Sequence, residues 1–198
     1  MANELELKAV VRDVGALRAA LSRAGATRNF RGMMRDRRLD RDGELVALKQ
    51  VLRLRIWEAE AGATRCVVTW KGPTTVTEAG YKHREELECG AEGGATALAI
   101  FRALGYDVIH AIDRFVEVWQ HADASARLEW YPRMDPLLEI EGAPAGMERL
   151  ITALGLDRSE CVPDALTEFA ARYAARTRLC AVWAEVDLAG VAPGWHNA

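Results

Sequence analysis

The chain has 198 residues, of which half are hydrophobic and 28% are charged, and its formal net charge is -3 at pH 7. This length fits one domain with a sizeable core, and the acidic balance argues against a surface built for nucleic acid, which requires a basic excess. No apolar run approaches the roughly 20 residues that span a bilayer, and the four cysteines show no Cys-x-x-Cys spacing. We therefore expect a cytoplasmic protein with reduced thiols, and not a membrane protein.

The first predicted strand, at about residues 3–11, alternates charged residues with leucine. Successive side chains of a strand point to opposite faces, so Glu4, Glu6 and Lys8 share one face. A solvated edge strand would also produce this pattern. However, the arrangement recurs at residues 84–88 and 138–141, and each instance leads into a helical segment that ends at a glycine. The chain thus contains a loose strand–helix repeat.

The segment after the first strand begins with a helix. Asp13 is a good N-cap, apolar residues recur at helical spacing, and Gly25 ends the helix. Residues 28–43 are rich in arginine and aspartate, and Asp42-Gly43 is a turn signal. We interpret this segment as a solvated strand and turn, in which one or two arginines reach a substrate.

Two strands with cationic residues follow as a predicted hairpin. Residues 51–56 and 64–71 are joined by a turn of small residues. Arg53 and Arg55 share one face of the first strand, and Lys71 ends the second. Beside two arginines, a phosphate contact explains Lys71 better than a solvated strand end does. The chain therefore predicts a surface where carboxylates and cations stand together.

The remaining strands raise the predicted count to about eight. A helix with Leu98, Phe101 and Leu104 on its inner face precedes a strand at residues 108–120. Arg114 lies among apolar residues of that strand, and burying it would be expensive without an anionic partner. The last predicted strands and helices lie at residues 126–130, 137–141, 147–154 and 166–173. Eight antiparallel strands can close into a barrel that encloses a lumen.

Taken together, these motifs resemble the CYTH family of triphosphate tunnel metalloenzymes. In chain order, the motifs are Glu4-x-Glu6-x-Lys8, Leu-Arg-Leu-Arg at 52–55, Thr-Trp-Lys-Gly-Pro at 69–73, Arg84-x-Glu86-x-Glu88 and Glu139-x-Glu141. The family includes class IV adenylyl cyclases and thiamine, inorganic and RNA triphosphatases. The resemblance implies an α+β fold, a closed eight-stranded antiparallel β-barrel (the triphosphate tunnel) with helices packed outside. The implied domain spans residues 1–180, followed by a carboxyl-terminal tail at 181–198.

The resemblance also implies the site residues. It makes metal ligands, for Mg²⁺ or Mn²⁺, of Glu4, Glu6, Glu129, Glu139 and Glu141. It makes triphosphate-binding residues of Lys8, Arg53, Arg55, Lys71, Arg84 and Arg114. The catalytic candidates are Lys8, Glu86 and Glu88, and one of the two glutamates would orient the attacking water or balance Arg84. This division agrees with chemistry, because carboxylates suit hard divalent cations and cationic side chains suit phosphate oxygens.

Three departures from the family pattern concern the substrate. Ile112-Asp113-Arg114 stands where the family often has Lys-x-Arg, so one cationic contact is missing. Asp135-Pro136 stands where a glycine commonly precedes the last Glu-x-Glu. The serine–tyrosine pair that often opens the last helix is not found at residues 162–166. These differences bear on the identity of the substrate more than on triphosphate binding.

The implied function is metal-dependent hydrolysis of a phosphoanhydride bond, in inorganic triphosphate or in a nucleoside or thiamine triphosphate. One alternative is a class IV adenylyl cyclase, which converts ATP to cyclic AMP and pyrophosphate. A second alternative is a non-catalytic module that binds polyphosphate or a nucleotide. The expected partner is a small-molecule triphosphate, and not a membrane or a nucleic acid. The oligomeric state is open, with a homodimer among the options.

Overall fold

The computed structural model describes the backbone of residues 2–197 and the side chains of residues 5–195. Glu4, a predicted metal ligand, therefore has its side chain outside the described residues. The strands are β1 Ala2–Val10, β2 Thr27–Asp40, β3 Val51–Ala59, β4 Thr64–Lys71, β5 Thr75–Val76, β6 Lys82–Ala91, β7 Asp107–His121, β8 Ala124–Trp130 and β9 Leu137–Gly142. They include all eight strands that the sequence predicted, and the additional β5 is two residues long.

Eight of these strands form a closed antiparallel barrel in the order β1-β9-β8-β7-β2-β3-β4-β6, and β6 pairs with β1 to close it. At the closure, Glu4 pairs in register with Arg84, while on the other side of β1 Lys8 pairs with Glu139. Strand β5 pairs with β6 beside the barrel. The predicted eight-stranded antiparallel barrel is confirmed, and its closure leaves the eight strands without an exposed edge along their paired lengths.

The helices pack outside the barrel, as predicted. The α-helices are α1 Val14–Arg23, α2 Glu44–Ala47, α3 Gly94–Ala103, α4 Pro144–Leu154 and α5 Leu166–Thr177. Asp13 caps α1, and its carboxylate accepts a hydrogen bond of 2.8 Å from the backbone N–H of Ala16. Leu104 was predicted to face inward but is 59% exposed, because α3 ends one residue earlier. Within residues 2–197, no helix is long and apolar enough to cross a membrane.

The main apolar core lies between the barrel and helices α1 and α4. Leu7, Leu128 and Ile140 point outward from β1, β8 and β9 and pack against Leu21 and Leu150 of the two helices. Each of these side chains is at most 1% exposed, and burying one stabilises the fold by about 1.5–3 kcal/mol. Because side chains alternate along a strand, the charged residues between these apolar ones must point into the barrel.

The interior of the barrel changes from charged to apolar along β2, β3 and β7. On these strands, the inward-facing residues next to the charged ones are Met34, Trp57 and Val116, which form a buried cluster. Phe30 packs against Trp57 edge to face, with ring centroids 4.9 Å apart. Along these three strands, the apolar cluster bounds the charged part of the lumen.

The carboxyl-terminal segment packs against the barrel. Val182 pairs with Arg133, and the backbone N–H of Asp113 donates to the carbonyl of Trp183 at 2.7 Å. The backbone N–H of Glu185 in turn donates to the Asp113 carboxylate at 3.0 Å. Strand β8 pairs with β7 only from Phe115 onward, so the carboxyl-terminal segment supplies a partner for Asp113 in the part of β7 that β8 does not reach.

Candidate functional site

A cavity of about 650 Å³ lies inside the barrel. All six predicted triphosphate-binding residues line it, together with three further cations, Arg38, Lys82 and Arg127. Six carboxylates also line it: Glu6, Asp36, Glu86, Glu88, Glu139 and Glu141. Among the described side chains, the wall thus carries nine cations and six carboxylates, although the whole chain is negatively charged. This local excess of positive charge favours a polyanionic ligand.

Lys8 lies between two of the predicted metal-binding carboxylates. Its Nζ is 2.6 Å from Glu6 Oε1 and 2.9 Å from Glu139 Oε2. The Lys82 ammonium also contacts Glu6, and the Arg127 guanidinium contacts Glu139. Burial alone would lower the pKa of Lys8, but the carboxylates of Glu139 and Glu6 raise it above its ordinary value. Lys8 therefore stays protonated and acts as a fixed positive charge.

Asp36 holds three arginines of the cavity wall and is only 3% exposed. Its two oxygens accept hydrogen bonds of 2.7 and 2.8 Å from Arg55, and one oxygen also accepts from Arg114 Nη2. Arg53 Nη1 lies 3.8 Å away. Burial by itself would raise the pKa of Asp36, but Arg55, Arg114 and Arg53 hold it well below its usual range. The interpretation of the 28–43 segment as a solvated strand is therefore wrong at Asp36.

Within the described structure, two arginines of the wall each have a buried donor without a hydrogen-bond partner. Arg53 Nε and Arg114 Nε are buried, and neither has a hydrogen-bond acceptor within the described structure. Arg53 donates to Thr69 Oγ1 at 3.1 Å through another nitrogen. Burial, and then the neighbouring charge of Arg55, lowers the pKa of Arg53 to about 10. Buried donors are nearly always satisfied in folded proteins, so these two fit a site that is completed by an anionic ligand.

The two catalytic candidates on β6 are bound to neighbouring polar groups. Glu86 Oε2 is 2.8 Å from Lys71 Nζ, and Glu88 Oε1 accepts a hydrogen bond of 2.8 Å from the Thr69 hydroxyl. The Glu88 side chain is 50% exposed. Burial works to raise the pKa of Glu88, but the hydrogen bond from the Thr69 hydroxyl and the charges of Arg53 and Arg55 lower it. Glu88 is thus an ionised hydrogen-bond acceptor on the cavity wall.

Solved structures of other proteins have this fold. A Vibrio parahaemolyticus protein, provisionally described as an adenylate cyclase, is 18% identical, has a TM-score of 0.70 and covers 85% of this chain and 97% of its own. A Hippeastrum protein, provisionally described as an adenylyl cyclase that reveals a dominant triphosphatase activity, is 16% identical, with a TM-score of 0.61 and coverage of 86% and 94%. A chain of the Schizosaccharomyces pombe Mediator head module is 15% identical, with a TM-score of 0.57 and coverage of 78% and 92%.

These likenesses confirm the predicted barrel fold and are consistent with the CYTH resemblance of the sequence motifs. No family model matches the sequence, and no curated protein matches it. At these identities, the likeness establishes the fold, and a shared fold does not by itself determine the reaction. The function of this protein must therefore be argued from its cavity.

Glu129, a predicted metal ligand, is fully buried and is not among the described residues that line the cavity. Its Oε1 accepts hydrogen bonds of 3.0 Å from Arg114 and 2.7 Å from Arg127, and its Oε2 accepts from the Tyr131 hydroxyl. Both oxygens are therefore occupied. In this arrangement Glu129 faces the barrel interior and fixes two cations of the cavity wall, and its role as a metal ligand stays a prediction.

The remaining predicted metal ligands fit a hard divalent cation by their chemistry. Glu6, Glu139 and Glu141 all line the cavity, and carboxylate oxygens are the ligands that Mg²⁺ and Mn²⁺ prefer. Among residues 5–195, however, no three histidine, cysteine, aspartate or glutamate side chains are grouped so as to hold a metal ion. Instead, Glu6 and Glu139 are turned toward lysine and arginine side chains.

Proposed function

We propose that this protein hydrolyses a phosphoanhydride bond of a triphosphate with the help of a divalent cation. The observation that carries the proposal is the cavity in which nine cations and six carboxylates face one another. A polyphosphate requires the cations, whereas a simple anion-binding site gains nothing from carboxylates that repel its ligand. The triphosphatase activity described for the Hippeastrum protein of the same fold supports this assignment.

The cations bind and orient the substrate in this proposal. Arg53 and Arg114 each have a buried Nε without an acceptor among the described residues, and the planar guanidinium group suits non-bridging phosphate oxygens. Lys71 adds a point charge on the same wall. Lys8, which stays protonated, supplies charge where the cationic part of the wall meets the carboxylates. Together, these groups hold the polyphosphate chain in one orientation.

The carboxylates have two separate tasks. Glu6, Glu139 and Glu141 would hold Mg²⁺ or Mn²⁺, which when bound neutralises charge that develops on the phosphate oxygens. Glu88, ionised on the cavity wall, accepts a hydrogen bond from the attacking water and orients it toward the terminal phosphorus. Glu86 keeps the Lys71 ammonium in place at 2.8 Å.

A cyclase is the second candidate, because the cavity wall has an apolar section. Val51, Ile112 and Leu166 line the same cavity as the charged residues, and such side chains suit the organic group of a nucleotide. In this reaction, the ribose 3'-hydroxyl of ATP attacks the α-phosphorus, and pyrophosphate leaves. The Vibrio parahaemolyticus protein of the same fold, provisionally described as an adenylate cyclase, supports this candidate.

The deciding experiment offers the purified protein inorganic triphosphate, ATP and thiamine triphosphate separately, with Mg²⁺ or Mn²⁺, and separates the products by anion-exchange chromatography. We expect orthophosphate, and we expect a chelator to abolish its release. Cyclic AMP with pyrophosphate from ATP would instead establish the cyclase. No product from any substrate would favour a non-catalytic binding module.

Two sets of variants test the residue roles. Glu6→Gln and Glu139→Gln should abolish metal-dependent turnover, and Arg53→Ala should weaken triphosphate binding. Glu92→Gln is the matched control, because Glu92 is exposed and lies outside the cavity. If Glu139→Gln turned over triphosphate as the wild type does, the assignment of the carboxylates to the metal would be wrong.

A further inference from the structure

Among the described side chains, Arg38 differs from the other cations of the cavity wall in having no hydrogen-bond or ion-pair partner. Each of the other eight contacts an acceptor within the protein: for example, Lys82 contacts Glu6 and Arg127 contacts Glu139. Arg84 donates hydrogen bonds of 3.1 and 2.7 Å to the carbonyl of Gly72. Within residues 5–195, Arg38 donates no hydrogen bond and forms no ion pair, although it is half-buried and lines the cavity.

The surroundings of Arg38 supply positive charge in place of a counter-ion. In the barrel register, Arg38 lies opposite Arg53 on β3 and opposite His110 on β7. Burial, and then the charges of Arg84 and Arg114, lowers the pKa of Arg38, and Asp36 offsets this only in part. A half-buried guanidinium among other cations is costly unless an anion compensates it. The position of Arg38 thus lowers the stability of the folded protein, and binding of an anionic ligand would offset this cost.

The neighbouring inward position on β7 is apolar. Asp36 lies opposite Ile112 in the register, so Arg38 and Ile112 are diagonal neighbours on the same wall. Both side chains line the cavity. Arg38 therefore supplies the positive charge in this part of the cavity wall. A cationic side chain at residue 112 would reach the same region.

We propose that Arg38 binds a phosphate oxygen of the polyphosphate, beside Arg53. This inference rests on the proposed function and adds a contact to it. Arg38 is a binding residue that holds the substrate, and its guanidinium takes no part in breaking the phosphoanhydride bond. In this proposal the substrate phosphate is the ion-pair partner of Arg38.

The test measures the affinity for inorganic triphosphate by isothermal titration calorimetry, with the metal present. Arg38→Gln should weaken binding by about 10- to 100-fold, the effect of losing one charge-assisted hydrogen bond. The double variant Arg38→Gln with Ile112→Lys should bind triphosphate at least tenfold more tightly than Arg38→Gln alone. Arg23→Gln is the control for charge, because Arg23 is exposed on α1. The affinity of Arg23→Gln for inorganic triphosphate should equal that of the wild type.

Thermal unfolding separates a binding role from a structural one. Arg38 has no hydrogen-bond or ion-pair partner among residues 5–195, so Arg38→Gln should unfold at the wild-type temperature or above it. Unchanged affinity in Arg38→Gln, or a lowered unfolding temperature, would overturn the inference. Failure of the wild-type protein itself to bind triphosphate would instead overturn the proposed function.

Discussion

Replacing Asp36 by asparagine should test how the barrel tolerates so many buried cations. The substitution keeps the shape of the side chain and removes its charge. Arg55 would lose a bidentate pair with distances of 2.7 and 2.8 Å. Arg114 would lose one of its two carboxylate partners and keep Glu129. Asp36→Asn would therefore leave buried guanidinium charge without compensation.

The expected loss follows from the burial of the pair. Removing one partner of a buried ion pair costs about 3–5 kcal/mol of unfolding free energy. For a chain of 198 residues, this corresponds to a fall of about 6–20 °C in the unfolding temperature. The loss should also depend on pH. The pKa of Asp36 is lowered in the folded state, so its contribution is complete at neutral pH and fades as the pH falls below about 4.

The assay is urea unfolding of the wild type and of Asp36→Asn, followed by circular dichroism at pH 7 and at pH values below 4. Asp42→Asn is the control: Asp42 is exposed and lies on the same segment, and we expect its effect to stay within about 0.5 kcal/mol. The difference between the wild type and Asp36→Asn should shrink in acid. Stability of Asp36→Asn within about 0.5 kcal/mol of the wild type at pH 7 would refute the reasoning.

Three other substitutions or deletions should also change stability. Tyr131→Phe should cost about 1–3 kcal/mol in urea unfolding, because the buried Glu129 loses a donor. Gly32→Ala should lower the unfolding free energy by at least about 1–3 kcal/mol. Gly32 has φ +154°, and an added Cβ would lie 2.2 Å from the carbonyl oxygen of Glu58. Gly90→Ala is its control, because a Cβ at Gly90 would stand in open space. Deleting residues 181–198 should lower the unfolding temperature, since Asp113 and Arg133 lose their backbone partners; an unchanged temperature would contradict this.

Much of the fold was predictable because most strands have one apolar and one charged face. In β1, for example, Leu5 and Leu7 alternate with charged residues, and the structure places the apolar face under the helices. The charged face points into the barrel, which is the reverse of an ordinary solvated sheet. The alternation of residues alone could not show that β6 pairs with β1 to close the barrel, and the closure was implied only by the family resemblance. The sequence also carried no signal for the docking of the tail, because backbone hydrogen bonds at Asp113 hold that segment.

The site was predicted less completely because β2 has charges on both faces. Arg37 is on the outer face and pairs with Asp113 at 2.9 Å, whereas Asp36 and Arg38 point into the lumen. With charge at successive positions, a period of two cannot separate the inner from the outer face. Most of the arginines in this segment are partly exposed, as expected, but Asp36 was missed. The one available signal was that Asp36 shares its strand face with the apolar Met34.

The pairing of charges inside the barrel limits what activity measurements can assign. Lys8, Arg55 and Glu139 are each half of a buried ion pair, so a substitution at any of them removes an internal partner as well as a contact to the substrate. Loss of activity in such a variant is therefore explained equally well by the lost internal ion pair and by the lost contact to the substrate. Arg38 is different because it has no such partner within the part of the chain whose side chains are described. A variant that keeps its stability and loses affinity is informative there, and this makes Arg38 the position at which binding can be separated from folding.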